Sequence, residues 1–106
     1  MTISDVQQKD NIYTVYDEGV NEVRTFFESD VGELVGFGQD FIVFERDNGY
    51  KFINGESGDE FTFQWINDVG KFKHANVNLA TFEKDGQVIT YEVGCSGIEL
   101  VNSRWE

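Results

Sequence analysis

Two side chains could carry nucleophilic or metal chemistry, and the chain has one of each: Cys95 and His74. A thiolate–imidazole pair would need the fold to bring them together. Cys95 lies between Gly94 and Ser96, with no basic neighbour to lower its pKa. His74 follows Lys71 and Lys73 and reads as a surface histidine on a short basic strand. Structural zinc takes four Cys or His ligands, which one of each cannot supply. The oxygen-rich run Asn54-Gly55-Glu56-Ser57-Gly58-Asp59-Glu60 lacks the Asp-x-Asx-x-Asx-Gly order and distant glutamate of a calcium loop. It reads as a solvated hairpin loop. The glycines at 32, 36 and 38 miss the phosphate-cradling spacings, and no Gly-x-Ser-x-Gly elbow is present. The expectation is therefore no catalytic residue, no metal and no cofactor. One enzymatic alternative stays open, a hydrolase using carboxylates alone. It requires a cleft holding one carboxyl of raised pKa, because 20 acidic side chains guarantee some close pairs.

Those 20 acids stand against 8 Lys and Arg, for a net charge of -12 on 106 residues. Nucleic-acid affinity rests on cations neutralising phosphate, so this chain repels a polyanion, and anionic membrane surfaces are disfavoured for the same reason. The charge is lopsided: residues 1–60 hold 14 acids and 4 bases, whereas 61–106 hold 6 acids and 4 bases. Solubility alone explains such acidity. The sharper reading is a negative face that docks on a basic protein. Its candidate residues are Asp17, Glu18, Glu22, Glu28, Asp30 and Glu33, which fall close together in sequence. One cysteine cannot form a disulfide within the chain. The N-terminal MTISDVQQKD has neither a basic head nor an apolar stretch, and no apolar run approaches the roughly 18 residues of a membrane span. A reducing cytoplasm is the expected compartment.

The elements that must position these groups are legible through an internal repeat. Phe44-Glu45-Arg46-Asp47 recurs 38 residues later as Phe82-Glu83-Lys84-Asp85, and Val31-Gly32 recurs as Val69-Gly70. One residue out of step, Asp10-Asn11 with Tyr13 matches Asp47-Asn48 with Tyr50, and Thr25-Phe26 matches Thr62-Phe63. A single loop insertion would give that slip. A third unit begins near Asp85-Gly86. In the second unit Phe61, Phe63 and Trp65 alternate with Glu60, Thr62 and Gln64, which is the period of a strand. The repeat then assigns Glu22–Ser29 to strand too; without it, a short helix at 22–34 is the alternative. Phe41–Arg46, Leu79–Lys84, Gln87–Val93 and Ile98–Val101 are further strands. Asn48-Gly49 and Asp85-Gly86 predict two-residue turns needing positive φ. The expected fold is all-β: an antiparallel meander of two to three repeats closing into a small barrel or sandwich within one domain, 1–106. A homodimer through exposed edge strands is also expected, since open edges invite pairing.

The strings Val31-Gly32-Glu33-Leu34-Val35-Gly36 with Asp40-Phe41-Ile42-Val43, and Ile89-Thr90-Tyr91 with Ser103-Arg104, resemble short, uncharacterised bacterial proteins built from tandem Tyr-rich hairpins. The resemblance covers most of the chain and implies tandem strands but no activity. Glu92-Val93-Gly94-Cys95 departs from it, because such hairpins carry an Asp-rich turn there.

Three functions from different classes follow. The first is a non-enzymatic interaction module, an acidic accessory protein docking on a basic partner; an inhibitor or immunity-type protein of a mobile element is its extreme form. The second is a small-molecule-binding barrel with a cavity lined by Tyr13, Tyr16, Tyr50 and Tyr91. The third is the carboxylate hydrolase. Most phenylalanines should be core, as should Trp65, whereas Trp105 is the candidate for an exposed contact.

Overall fold

The computed structural model describes residues 2–94 and 96–105. The fold is all-β, with three antiparallel sheets in chain order. The first sheet holds β1 (Ile3–Lys9), β2 (Ile12–Asp17) and β3 (Glu22–Phe27). A single helical turn, α1 (Glu28–Val31), leads to the middle sheet of β4 (Glu33–Phe37), β5 (Phe41–Arg46), β6 (Gly49–Asn54) and β7 (Glu60–Trp65). A second turn, α2 (Ile66–Val69), leads to the last sheet of β8 (Lys71–Asn76), β9 (Leu79–Lys84), β10 (Gln87–Gly94) and β11 (Gly97–Trp105). Every neighbouring pair is antiparallel, and each sheet is a meander.

The sheets lie face to face, with the middle one between the other two. Two apolar clusters separate them. One gathers Ile3, Val6, Tyr13 and Val15 of the first sheet with Ile42, Phe44 and Ile53 of the middle sheet. The other gathers Phe41, Val43, Tyr50 and Phe52 of the middle sheet with Ala80, Phe82 and Val93 of the last. The run Phe41-Ile42-Val43-Phe44 is buried throughout. An alternating strand covers one face; an unbroken apolar run serves both faces, and β5 has a sheet on each side. Phe82 anchors the second cluster, with ring centroids 5.3 Å from Tyr50, 5.5 Å from Phe72 and 5.7 Å from Tyr91. Such pairs contribute about 0.5–1.5 kcal/mol beyond their burial.

The units share more than strand order. Each sheet has two register shifts, and one of them falls at a matching position in all three: Val15/Tyr16, Phe52/Ile53 and Thr90/Tyr91. A tyrosine also ties each of the first two sheets to its successor. The Tyr13 hydroxyl donates to the Gly32 carbonyl at 3.1 Å and accepts from the Leu34 amide at 3.2 Å. The Tyr50 hydroxyl donates to the Gly70 carbonyl at 3.2 Å and accepts from the Phe72 amide at 2.9 Å. Gly32 and Gly70 leave the helical turns at φ 98° and 91°. A Cβ on either would strike the carbonyl of Glu45 or Glu83 on the adjoining strand, so both positions require glycine. The one-residue slip lies where the loop after β6 spans 55–59 while that after β2 spans 18–21.

Several expectations are corrected. Of the two arrangements expected, no closed barrel forms and the sheets layer as in a sandwich. Glu28 and Ser29 leave the strand for α1, and no helix runs through 22–34. The hairpin after β5 turns on Asp47-Asn48, at φ 55° and 64°, with Gly49 already in β6 opposite Arg46. Gly49 lies under the Phe63 ring, which leaves no room for a side chain. Register also aligns Phe26, opposite Tyr13, with Gln64, opposite Tyr50, so Thr25-Phe26 and Thr62-Phe63 are not equivalent. Trp65 is 53% exposed rather than buried. It stands on the edge strand β7 with its ring edge-on to Phe63 at 4.8 Å. The last strand extends well beyond Ile98–Val101. Among the described residues no helix is long and apolar enough to cross a membrane.

Replacing Tyr50 by Phe should cost about 1–3 kcal/mol, because it strands the Gly70 carbonyl and the Phe72 amide away from water. Urea unfolding measures this. Burial raises the Tyr50 phenol above its ordinary 10.0, against the Phe72 amide that favours the charged form. The folded state therefore holds this proton more tightly than the unfolded one. Its contribution is present below pH 10 and is lost as pH rises through the folded pKa. The alkaline loss of stability should be smaller in Tyr50→Phe.

Candidate functional site

The six acids singled out in the sequence do not form one patch. Asp17, Glu18 and Glu22 surround the loop joining β2 to β3, while Glu28, Asp30 and Glu33 surround α1. β3 separates the groups by six residues, about 20 Å at strand rise. At the first end the Asp17 carboxylate accepts the amides of Asn21 at 3.0 Å and Gly19 at 2.9 Å. These bonds, that from Asn21 foremost, hold its pKa below the ordinary carboxylate value. Asp17 thus organises its own loop.

The second end is the denser. The Glu28 amide donates to the Asn11 carbonyl at 2.9 Å, which seats α1 beside the Asp10-Asn11 turn. Arg46 reaches across from the β5–β6 turn, donating to the carbonyls of Ser29 at 2.6 Å and Asp30 at 2.8 Å. Lys51 donates to Asp30 at 3.3 Å. The strands and α1 thereby collect Asp10, Glu28, Asp30, Glu33, Glu45 and Asp47 at one end of the molecule, with Lys9, Arg46 and Lys51 among them. Glu45, Asp47 and Asp10 escaped the sequence reading because they lie on other strands; only register shows that Glu33 stands directly opposite Glu45.

The second junction supplies an internal comparison. Lys71 occupies the position of Glu33 and pairs with Glu83, the equivalent of Glu45. There Asp68, Glu83 and Asp85 are matched by Lys71, Lys73 and Lys84, and Lys73 bridges Glu83 at 3.3 Å. One scaffold position thus holds a self-repelling pair at the first junction and a complementary pair at the second. None of the six predicted acids enters an ion pair among the described residues.

The tyrosines do not line a common cavity. Tyr13 and Tyr50 are buried in different clusters, their hydroxyls spent on the tethers between sheets. Tyr91 packs on Phe82, and burial raises its pKa. Tyr16 lies half-buried on the first sheet, opposite Glu22. The main concavity is instead a half-open groove of about 610 Å³ between β4 and β8. Its walls are Val35, Gly36, Phe37, Phe72 and Ala75, with Lys73, His74 and Asn76 as polar members. Gln39 closes one end: its amide donates to the Val77 carbonyl at 2.6 Å, and its carbonyl accepts the Ile3 amide at 2.7 Å. No Asp or Glu lines the groove, so it offers carboxylate catalysis no group. The sequence signal for it was the 38-residue offset, which makes residues 33–37 and 71–75 equivalent strands.

Among the described residues no three His, Cys, Asp or Glu side chains come close enough to hold a metal. His74 is exposed on β8; Cys95, the other half of the pair considered above, lies outside the described residues.

Glu33→Lys should rebuild at the first junction the pairing found at the second. We expect a gain of about 0.2–1 kcal/mol in thermal unfolding. A loss would mean that Glu33 has a favourable partner in solution.

Comparison of the chain with protein-family models, with curated proteins and with solved structures finds no match to any of them.

Proposed function

We propose that the protein is a non-enzymatic interaction module that docks on a basic protein through the acidic end around α1. The observation that carries this reading is the Glu33–Glu45 pair. Like charges directly opposite on a sheet are destabilising, and the same scaffold position tolerates lysine, as Lys71 demonstrates. A fold that keeps the unfavourable pair where the favourable one fits has a negative surface to maintain. Arg46 and Lys51 are engaged by backbone carbonyls and by Asp47 and Glu60, so Glu33 and Glu45 remain for an outside cation. The site would recognise a Lys/Arg-rich protein face, and it repels nucleic acid for the same reason.

The test is affinity capture from a host lysate on immobilised wild-type chain at low and high salt. Basic proteins should be retained at low salt and released at high salt, as screening requires. The double variant Glu33→Lys/Glu45→Lys should lose them, while Glu18→Lys/Glu22→Lys at the other end keeps them. Equal capture by wild type and the first variant would refute the assignment.

The groove between β4 and β8 favours a second reading, a small-molecule binder. Its volume lies within the roughly 300–1,000 Å³ of ligand sites, and aromatic walls with few polar groups suit a compact apolar ligand. In a thermal-shift screen, a ligand at about a hundredfold excess over its Kd adds about 2.7 kcal/mol. Ala75→Trp, which fills the groove, should abolish any such shift. A shift that survives this change places the ligand elsewhere.

A further inference from the structure

We propose that two copies of this chain join through the free edge of β11, running antiparallel, with Glu99 of each copy against the partner's Arg104. β11 ends the last sheet and has nine residues, whereas the equivalent edge strands β3 and β7 have six. An edge strand offers a row of unpaired backbone donors and acceptors, and proteins blunt it with charge, brevity, bulges or cover. Every edge pair here has a register shift, so the bulge does not set β11 apart. The other edges carry such charges: Asp5 and Lys9 on β1, Arg24 on β3, Glu33 on β4, Glu60 on β7, and Lys71 with Lys73 on β8. β11 carries charges too, but Glu99 and Arg104 are opposite in sign and flank the uncharged run Leu100-Val101-Asn102-Ser103, so they answer each other across an antiparallel copy. Leu100 is 60% and Val101 56% exposed.

The occupant is a second copy because the strand complements itself in one register. A two-fold axis perpendicular to the sheet preserves faces, so directly opposed residues must lie on the same face of their own strand. In a regular strand, positions five apart lie on opposite faces. Here the register shift between Thr90 and Tyr91 leaves Val101 as the extra residue. It brings Glu99, opposite Glu92, and Arg104, opposite Val88, onto one face. The same register sets Ile98 against the partner's Trp105 and Leu100 against the partner's Ser103, all on the other face. Trp105 is 73% exposed in the single chain. Glu99 stands beside Glu92 within its own sheet and has no cation among the described residues. The second copy supplies one. The paired edges form one continuous eight-stranded sheet, and β11 neighbours β10 and β7, whereas α1 neighbours β3 and β5.

Sedimentation of the whole chain from low to high micromolar concentration tests this. Wild type should approach twice the 12.1 kDa chain mass. Glu99→Arg and Arg104→Glu should each weaken association at least about tenfold, a 1.4 kcal/mol change. The double reversal Glu99→Arg/Arg104→Glu should restore it. Val101→Lys, a charge set in the middle of the edge, should also give monomer, and circular dichroism confirms that each variant is folded. A monomeric wild type, or single reversals that dimerise as well as wild type, overturns the proposal. A double reversal that stays monomeric rejects the register. Because these variants leave α1 untouched, loss of the dimer and loss of basic-protein capture are separable results.

Discussion

The middle sheet must be covered on both faces, and the architecture follows from that demand. Phe41, Ile42, Val43 and Phe44 are each at most 1% exposed, and consecutive residues of a strand point opposite ways. No two-layer sandwich of this chain could bury all four. The first sheet covers Ile42 and Phe44; the last covers Phe41 and Val43. Each neighbour is then held by a second, directional device, the tyrosine hydroxyl bridging a glycine carbonyl and an amide two residues on. Apolar burial provides most of the stabilisation, at roughly 25 cal/mol per Å². The tethers choose the relative placement, because a buried carbonyl or amide without its partner is costly.

The same logic explains where the stacking stops. In the last sheet the positions of Phe41, Val43, Tyr50 and Phe52 are held by Leu79, Thr81, Val88 and Thr90. Large rings give way to small or hydroxylated side chains, and Thr81 bonds Thr90 through their hydroxyls at 3.2 Å. The outer face of the first sheet carries Asp5, Gln7, Thr14 and Thr25, with Ile12 and Phe27 partly exposed at one end of it. Terminal units of stacked repeats need polar outer faces for solubility. Faces of this kind leave the strand edges as the places where the molecule can grow.

Charge is distributed by a different rule from packing. The apolar positions recur from unit to unit because each interface needs them, whereas the charges at equivalent exposed positions do not. Glu33 against Glu45 and Lys71 against Glu83 occupy one geometry with opposite electrostatic sense. Packing cannot account for that contrast, since all four side chains lie at the surface or near it.

Much of this was determined by the sequence itself. Alternation and a 38-residue recurrence specify strands, their number per unit and most turns, since these are local consequences of side-chain period and turn chemistry. The two-residue turn falls one residue earlier than expected because Asp47 and Asn48 themselves take the two positive φ values, which leaves Gly49 to open β6 as Ile12 opens β2. Trp65 was expected inside from its alternation, but alternation states only which face a residue takes, not whether anything covers that face at a sheet edge. Layering in place of closure, the separation of six neighbouring acids into two ends, and the opposition of Glu33 to Glu45 were decided by tertiary structure alone. Each depends on distance between residues far apart in the chain, and a linear order carries no distances until sheets pair and stack.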